Sequence, residues 1–277
     1  MSLSDDRLPE DRLGVLETFA VELAGVAGEV ILPLFRADHG LEDKGAMKDG
    51  AFDPVTRADK GAEAAIRKAV SARFPEHGFI GEEYGEDRPD EEFVWVLDPV
   101  DGTRAFISGL PVWTTLIALR HQGRPVVGMI GQSYLGEVFV GTRLGSRLIR
   151  GGGERPLRVR SCAGLSEALI ATTDQNIFRT EGQAKAWADV RKASRLARFG
   201  CDAYAYAMVA LGALDLVVET GLKAWDIEAA IPLLDGAGGL VTDWRGEPIG
   251  QRGGQMAIAG DRRVLTEALT LLQPGAA

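Results

Sequence analysis

The stretch from Val94 to Pro111, VWVLDPVDGTRAFISGLP, constrains this chain more than any other. It continues an apolar run, Phe93 to Leu97, of the kind that forms a buried strand. At the carboxyl end of that run stand Asp98 and Asp101, separated by Pro99 and Val100 and followed by a Gly102-Thr103 turn. Pro99 fixes its own backbone and biases Asp98 away from helix. Two carboxylates held on a stiff turn repel each other unless something positive sits between them. Hard divalent cations such as Mg²⁺ take oxygen ligands of this kind and keep waters that phosphate can displace. Residues Thr103 to Ser108 then open a helix whose first amide groups point at the same place, a site for an anion. Asp-Pro and Asp-Gly pairs are common in ordinary turns. As one string behind a buried strand they read as metal and phosphate chemistry together.

A chain of 277 residues with 45% hydrophobic content can bury a large core and suits two packed subdomains. Its formal net charge of -9 argues against non-specific binding to nucleic acid or to an acidic membrane, because both need clustered Lys and Arg. No apolar stretch approaches a membrane span, and the opening MSLSDDRLPEDR is acidic rather than signal-like, so a cytoplasmic location is expected. Cys162 and Cys201 lack metal-ligand spacing and imply no disulfide framework. His39, His77 and His121 sit in no metal-binding pair and near no nucleophilic serine motif, so none is expected to be catalytic. His77, within Pro75-Glu76-His77-Gly78, reads as turn chemistry ahead of a strand.

Apolar residues from Leu13 to Leu34 recur at helical spacing, and the polar, glycine-containing segment from Arg36 to Gly50 reads as a loop. Thr56 followed by Asp59 has the form of a capping box for a second helix through Ala62, Ile66 and Val70, which accounts for both residues but leaves Asp53 unexplained. Phe79 to Glu83 is a short strand ending in two acids, and a neighbouring strand there would bring Glu82 beside Asp98. Thr114–Arg120, Pro125–Ile130, Gly136–Thr142 and Arg147–Arg150 predict an antiparallel meander. Gly151-Gly152-Gly153 marks the expected boundary between an amino-terminal α+β subdomain, 1–152, and a carboxyl-terminal α/β subdomain, 153–277. In the latter, strands at Ala168–Thr172, Arg195–Phe199, Leu214–Glu219 and Met256–Ala259 alternate with helices at Gln183–Arg191, Tyr204–Leu211, Ile227–Ala237 and Val264–Leu272. Asp226 falls at the mouth of one of these helices, where Asp is a favoured cap.

The string Asp98 to Thr103, with Gly81-Glu82-Glu83 before it and Trp225-Asp226 after it, resembles the inositol monophosphatase family of metal-dependent, lithium-sensitive phosphatases. The resemblance runs from about Leu13 to Leu272. It implies an αβαβα sandwich with an antiparallel first sheet and a mixed second one. It also implies two or three Mg²⁺ ions held by Glu82, Asp98, Asp101, Asp226 and the Val100 carbonyl, Li⁺ as a possible inhibitor, and a homodimer. Residues Asp53 to Asp59 resemble the family's D-x-V-T-x-A/T-D motif, and the carry-over pairs Asp53 with Thr103 to activate the attacking water. Glu83 becomes a nearby, less direct contributor. In the family the loop near the metals can carry a basic residue, which makes Lys44 and Lys48 candidates beside the plainer reading of solvated loop charges.

Within the family the nearer likeness is to the histidinol-phosphate phosphatase branch, carried by Asp202-Ala203-Tyr204-Ala205-Tyr206, Arg104-Ala105-Phe106 and Trp225-Asp226-Ile227-Glu228-Ala229. Glu219 falls where the family has an acid touching the substrate's organic part. Asp202 falls where inositol-specific members carry a small apolar residue, and a carboxylate there suits a cationic amine or imidazolium. Glu228 departs from the small residue usual in the inositol enzymes. The implied reaction is hydrolysis of a small phosphorylated metabolite, foremost histidinol phosphate in histidine biosynthesis, without a phosphoenzyme. Gly102 and Thr103 amides would cradle the phosphate, while Arg104 either helps hold it or faces solvent. Inositol 1-phosphate, fructose bisphosphate or an adenosine bisphosphate are alternatives of the same chemistry. A non-catalytic, metal-holding protein would give no reason for Asp53 and Thr103, and a structural module none for acids at three separated element ends.

Overall fold

The computed structural model describes residues 8–38, 40–43, 54–251 and 253–277, so Lys44, Lys48, Asp53 and His39 lie outside the described residues. Helix α1 (Glu10–Ile31) leads through the short strands β1 (Glu42–Asp43) and β2 (Pro54–Val55) to α2 (Arg57–Arg73). Strands β3 (Gly78–Gly81), β4 (Gly85–Asp87) and β5 (Phe93–Asp101) follow, then the one-turn helix α3 (Thr103–Ile107). The meander comprises β6 (Thr114–His121), β7 (Arg124–Gln132), β8 (Glu137–Thr142), β9 (Gly145–Arg150) and β10 (Gly153–Pro156). Beyond it come β11 (Leu169–Thr172), α4 (Glu181–Ala193), β12 (Leu196–Phe199), α5 (Tyr204–Ala210) and β13 (Leu216–Leu222). The chain ends with α6 (Ala224–Ile227), α7 (Ala230–Ala237), β14 (Leu240–Thr242), β15 (Gly254–Ala259) and α8 (Arg262–Leu272). Among the described residues no helix is long and apolar enough to cross a membrane.

Two sheets organise these elements. The first has eight strands in the order β10-β9-β8-β7-β6-β5-β3-β4, antiparallel except where β3 runs parallel to β5. The second has five in the order β12-β11-β13-β15-β14, parallel from β12 to β13 and antiparallel beyond. Alternation along β5 decides the layering. Phe93, Trp95 and Leu97 pack under α1 and α2, while Val94 and Val96 face a second core shared with α5, α7 and the inner face of the second sheet. Ile170, Leu216 and Val218 on the other face of the second sheet pack beneath α4 and α8. The result is the αβαβα sandwich that the resemblance implies. β5 is apolar at every position from Phe93 to Leu97 because both its faces are covered.

The triple glycine is not a boundary. Gly151 and Gly152 have φ of 58° and 78°, a backbone that suits the tight turn of a hairpin, and β10 pairs back on β9 from Gly153 to Pro156. A division at 152/153 would cut that hairpin, so the first sheet ends only after Pro156. His77 is likewise more than turn chemistry. Its ring is buried between Phe74 and Phe93, and its Nδ1 accepts a hydrogen bond from Trp95 Nε1 at 3.0 Å. Burial holds its pKa down at about 4, so it packs as a neutral ring.

Candidate metal and phosphate site

The site begins with an irregularity in β5. Residues three apart on a regular strand face opposite sides of the sheet, which would separate Asp98 from Asp101. Here Asp98 pairs with Leu116 and Asp101 with Thr114, so three steps along β5 match two along β6. The extra residue makes a bulge over Pro99 and Val100, which re-aims the side chains around it. The Pro99 carbonyl accepts from Thr115 Oγ1 at 2.8 Å, and Val100 N donates to Asp98 Oδ1 at 3.1 Å. Asp98 and Asp101 thereby converge with Asp226, the three offering oxygens within 4.8 Å of one another. Asp226 stands at the third position of α6 rather than at its cap, and its carboxylate reaches back to accept from Lys223 N at 2.7 Å. Glu82, just past β3, lies beside Asp98 as the strand-neighbour reading expects, outside that group of three. Gly81 pairs with Leu97, and Glu82 N donates to the Leu97 carbonyl at 3.2 Å, so Glu82 follows on level with Asp98.

Electrostatics marks this as a place built for cations. Burial pushes the Asp98 carboxyl well above the usual carboxylate range, and the charges of Glu82, Asp101, Asp226 and Asp59 push it further. Asp101 is raised by burial and by Asp202, Asp226 and Glu82, although Ala203 N donates to its Oδ2 at 2.8 Å. Asp226 is raised to about 6 by burial, against the opposing pull of Lys223. Hard oxygens, buried and mutually repelling, fit a hard divalent cation such as Mg²⁺.

The phosphate turn sits against the second sheet. Gly102 adopts a left-handed conformation at the start of α3, with φ of 79°, and a Cβ there would lie 3.0 Å from Asp202 Oδ2. A side chain at position 102 would therefore collide with the acid that the sequence assigns to substrate. Asp202 is raised by burial and eased by a hydrogen bond from Thr173 and by the charge of the exposed Arg104. Glu219 is fully buried, raised to about 8, and accepts from Thr173 N at 2.7 Å and Thr173 Oγ1 at 3.0 Å. Tyr206, buried on α5, feels the charges of Glu219, Asp101, Asp226 and Asp202, so these four acids share one electrostatic neighbourhood.

Asp59 carries a contact that the sequence reading did not foresee. It does close the expected capping box, its Oδ2 accepting from Thr56 N at 2.8 Å and from Thr56 Oγ1 at 2.6 Å. Its other oxygen, Oδ1, lies 3.4 Å from Thr103 Oγ1, so among the described residues Asp59 is the acid beside that threonine. The Thr103 hydroxyl is also 3.1 Å from the Val100 carbonyl. Sequence reasoning also passed over Glu63, which is fully buried one turn beyond Asp59 and accepts from Glu83 N at 2.9 Å. Two acids four apart within an otherwise apolar helix face, with Ala62 and Ile66, were the available signal.

Residues 13–274 match the inositol monophosphatase family. The chain belongs to that family. Among its relatives is "Bifunctional phosphatase IMPL2, chloroplastic" of Arabidopsis thaliana, 38% identical over 98% of this chain and 78% of the relative. A "Histidinol-phosphatase" of Chlorobaculum parvum is 33% identical over 82% of this chain and 85% of its own length. A solved inositol monophosphatase from Zymomonas mobilis superposes with a TM-score of 0.81 at 38% identity, covering 95% of this chain and 98% of that one. As an inositol monophosphatase family phosphatase, the chain acts on small phosphorylated substrates, and its acidic cluster is the place that could hold metal.

Proposed function

We propose that this chain hydrolyses a small, cationic phosphate monoester, foremost histidinol phosphate, with Mg²⁺ held by Glu82, Asp98, Asp101, Asp226 and the Val100 carbonyl. Mg²⁺ supplies Lewis-acid polarisation of the phosphate and a more acidic water. The chain's own residues do the rest. Gly102 and Thr103 amides, whose place at a helix start leaves them without intrahelical acceptors, hold phosphate oxygens. The Thr103 hydroxyl, held between the Val100 carbonyl and Asp59, keeps its lone pairs for a water's proton. Asp53, which the motif resemblance pairs with it, and Asp59, which stands beside the hydroxyl, are the acids we assign to that step. Glu83 supports the Glu82 turn, and Arg104 flanks Asp202 at the mouth of the site.

The observation that carries the choice of substrate is Asp202 against the Gly102 turn, with Glu219 behind it on the shared Thr173. Two buried acids on the organic side of a phosphate site suit an ammonium or imidazolium, which would satisfy them, far better than a neutral polyol. The relative named a histidinol-phosphatase supports the same reading. Inositol 1-phosphate is the second reading, favoured by the solved inositol monophosphatase at 38% identity. Turnover of L-histidinol phosphate and inositol 1-phosphate, measured side by side with Mg²⁺, separates the two. Histidinol phosphate is expected to have the higher kcat/KM, and Asp202→Ala should lower it by roughly tenfold or more, the scale of a lost charge-assisted hydrogen bond, while sparing a neutral monoester. Equal or better turnover of inositol phosphate, or equal loss on both, would overturn the assignment.

A further inference from the structure

Glu63 has no part in the chemistry above, yet it is a fully buried carboxylate at the edge of the acid cluster. It lies on α2 one turn after Asp59, so the same buried helix face presents Asp59 toward Thr103 and Glu63 toward the turn that follows β3. Its Oε2 accepts from Glu83 N at 2.9 Å and its Oε1 from Tyr84 N at 3.3 Å. Arg67, four residues along the helix, donates from Nε to Oε1 at 2.8 Å and from Nη2 to the Gly85 carbonyl at 2.5 Å. The carboxylate thus receives the amides of the two residues after Glu82, and its guanidinium partner grips the far end of the same turn. On the other side of Glu82, Gly81 makes room for the arrangement. A Cβ at Gly81 would lie 2.0 Å from Glu63 Oε1, so the acid occupies the space that a side chain would need.

From this geometry we infer that Glu63, braced by Arg67, is a positioning residue that fixes the Glu82-Glu83-Tyr84 turn and thereby holds the Glu82 carboxylate in register with Asp98 for metal binding. This rests on the metal-ligand reading of Glu82 proposed above. The physical reason is entropy. Glu82 leaves the end of a four-residue strand, and a ligand on an unfixed turn would have to be ordered by the metal itself. Groups that orient ligands in this way typically change metal affinity by about ten- to a hundredfold when removed.

The test is calorimetric titration of the metal-free protein with Mg²⁺ alone, on the parent chain and on Glu63→Gln, Glu63→Ala and Asp226→Asn. Thermal melts in chelator would run alongside, to confirm that each variant is folded. Glu63→Gln keeps the shape and one acceptor but turns an amide toward donors, so affinity should fall in the order Glu, Gln, Ala, by about tenfold or more for Ala. At saturating Mg²⁺ the KM for substrate should stay near the parent value, which a general loss of packing would not spare. Parent-like Mg²⁺ affinity in both Glu63 variants, with Asp226→Asn impaired, overturns the role of Glu63 alone. Parent-like affinity in Asp226→Asn as well overturns the metal reading and this inference with it. Should Glu63→Ala fail to fold, the Glu63→Gln titration decides.

Discussion

At the scale of single residues, this protein is governed by carboxylates doing two jobs each. Asp59 caps α2 through one oxygen and stands beside Thr103 with the other. Asp226 accepts from the Lys223 amide while converging on Asp98 and Asp101. Such double use hid Asp59 in the sequence, because the capping box alone explains a Thr-x-x-Asp spacing. The two roles separate by mutation. Asp59→Asn should lower kcat by about a hundredfold or more, as expected for a lost proton acceptor, with Mg²⁺ affinity much less affected. Asp53→Asn should also lower kcat, because the motif resemblance gives it the water-activating role beside Thr103. Steady-state kinetics with a Mg²⁺ titration checks both, and a parent-like kcat in Asp59→Asn would leave the role to Asp53 alone.

At the scale of elements, the site is where segments end or break. The β5 bulge aims Asp98 and Asp101, α6 brings Asp226 to them, and the turn after β3 sets Glu82 alongside Asp98. Fixing α6 relative to β6 falls to a buried ion pair. Arg120 on β6 donates from Nε to Glu228 Oε2 at 2.7 Å and from Nη2 to Oε1, with both side chains almost wholly inaccessible. Glu228 follows Asp226 by two residues, so this pair holds the joint between α6 and α7 against the first sheet. Removing one partner of such a pair strands a buried charge. Arg120→Met should cost about 3 to 5 kcal/mol of stability by denaturant unfolding, whereas Arg120→Met with Glu228→Leu should cost far less. Equal costs for the single and the double variant would show that the charges are not what matters there. The individual elements were legible in sequence through apolar spacing, as with the paired α2 and β5 cores. The short β4, β10 and β14 were not, because three or four residues carry too little periodicity to register.

At the scale of the whole molecule, two sheets close around a field of like charge that the fold stabilises only in part. Glu219 titrates at about 8 and Asp226 at about 6, both raised by burial above their ordinary values of 4.5 and 3.8. A raised value means that the folded chain holds the proton more tightly than the unfolded one. The corresponding stability is complete below the ordinary values and is lost as pH rises through the folded ones. The metal-free protein should therefore lose melting temperature between about pH 5 and 8, and added Mg²⁺ should raise it most at the upper end of that range. A pH-independent melting temperature in chelator would contradict this. The sequence by itself determined the main helices and strands and the stiff Asp-Pro-Val-Asp-Gly-Thr turn, which are local properties of consecutive residues, and the motifs that turn carries pointed to the family and through it to the layered sandwich. Only the tertiary structure decided that Asp59 meets Thr103, that Glu63 holds the turn behind Glu82, that Asp202 closes on Gly102, and that Gly151-Gly152 is a hairpin rather than a border. These depend on which faces of distant segments pack together, and no spacing along one chain encodes a contact made across two sheets.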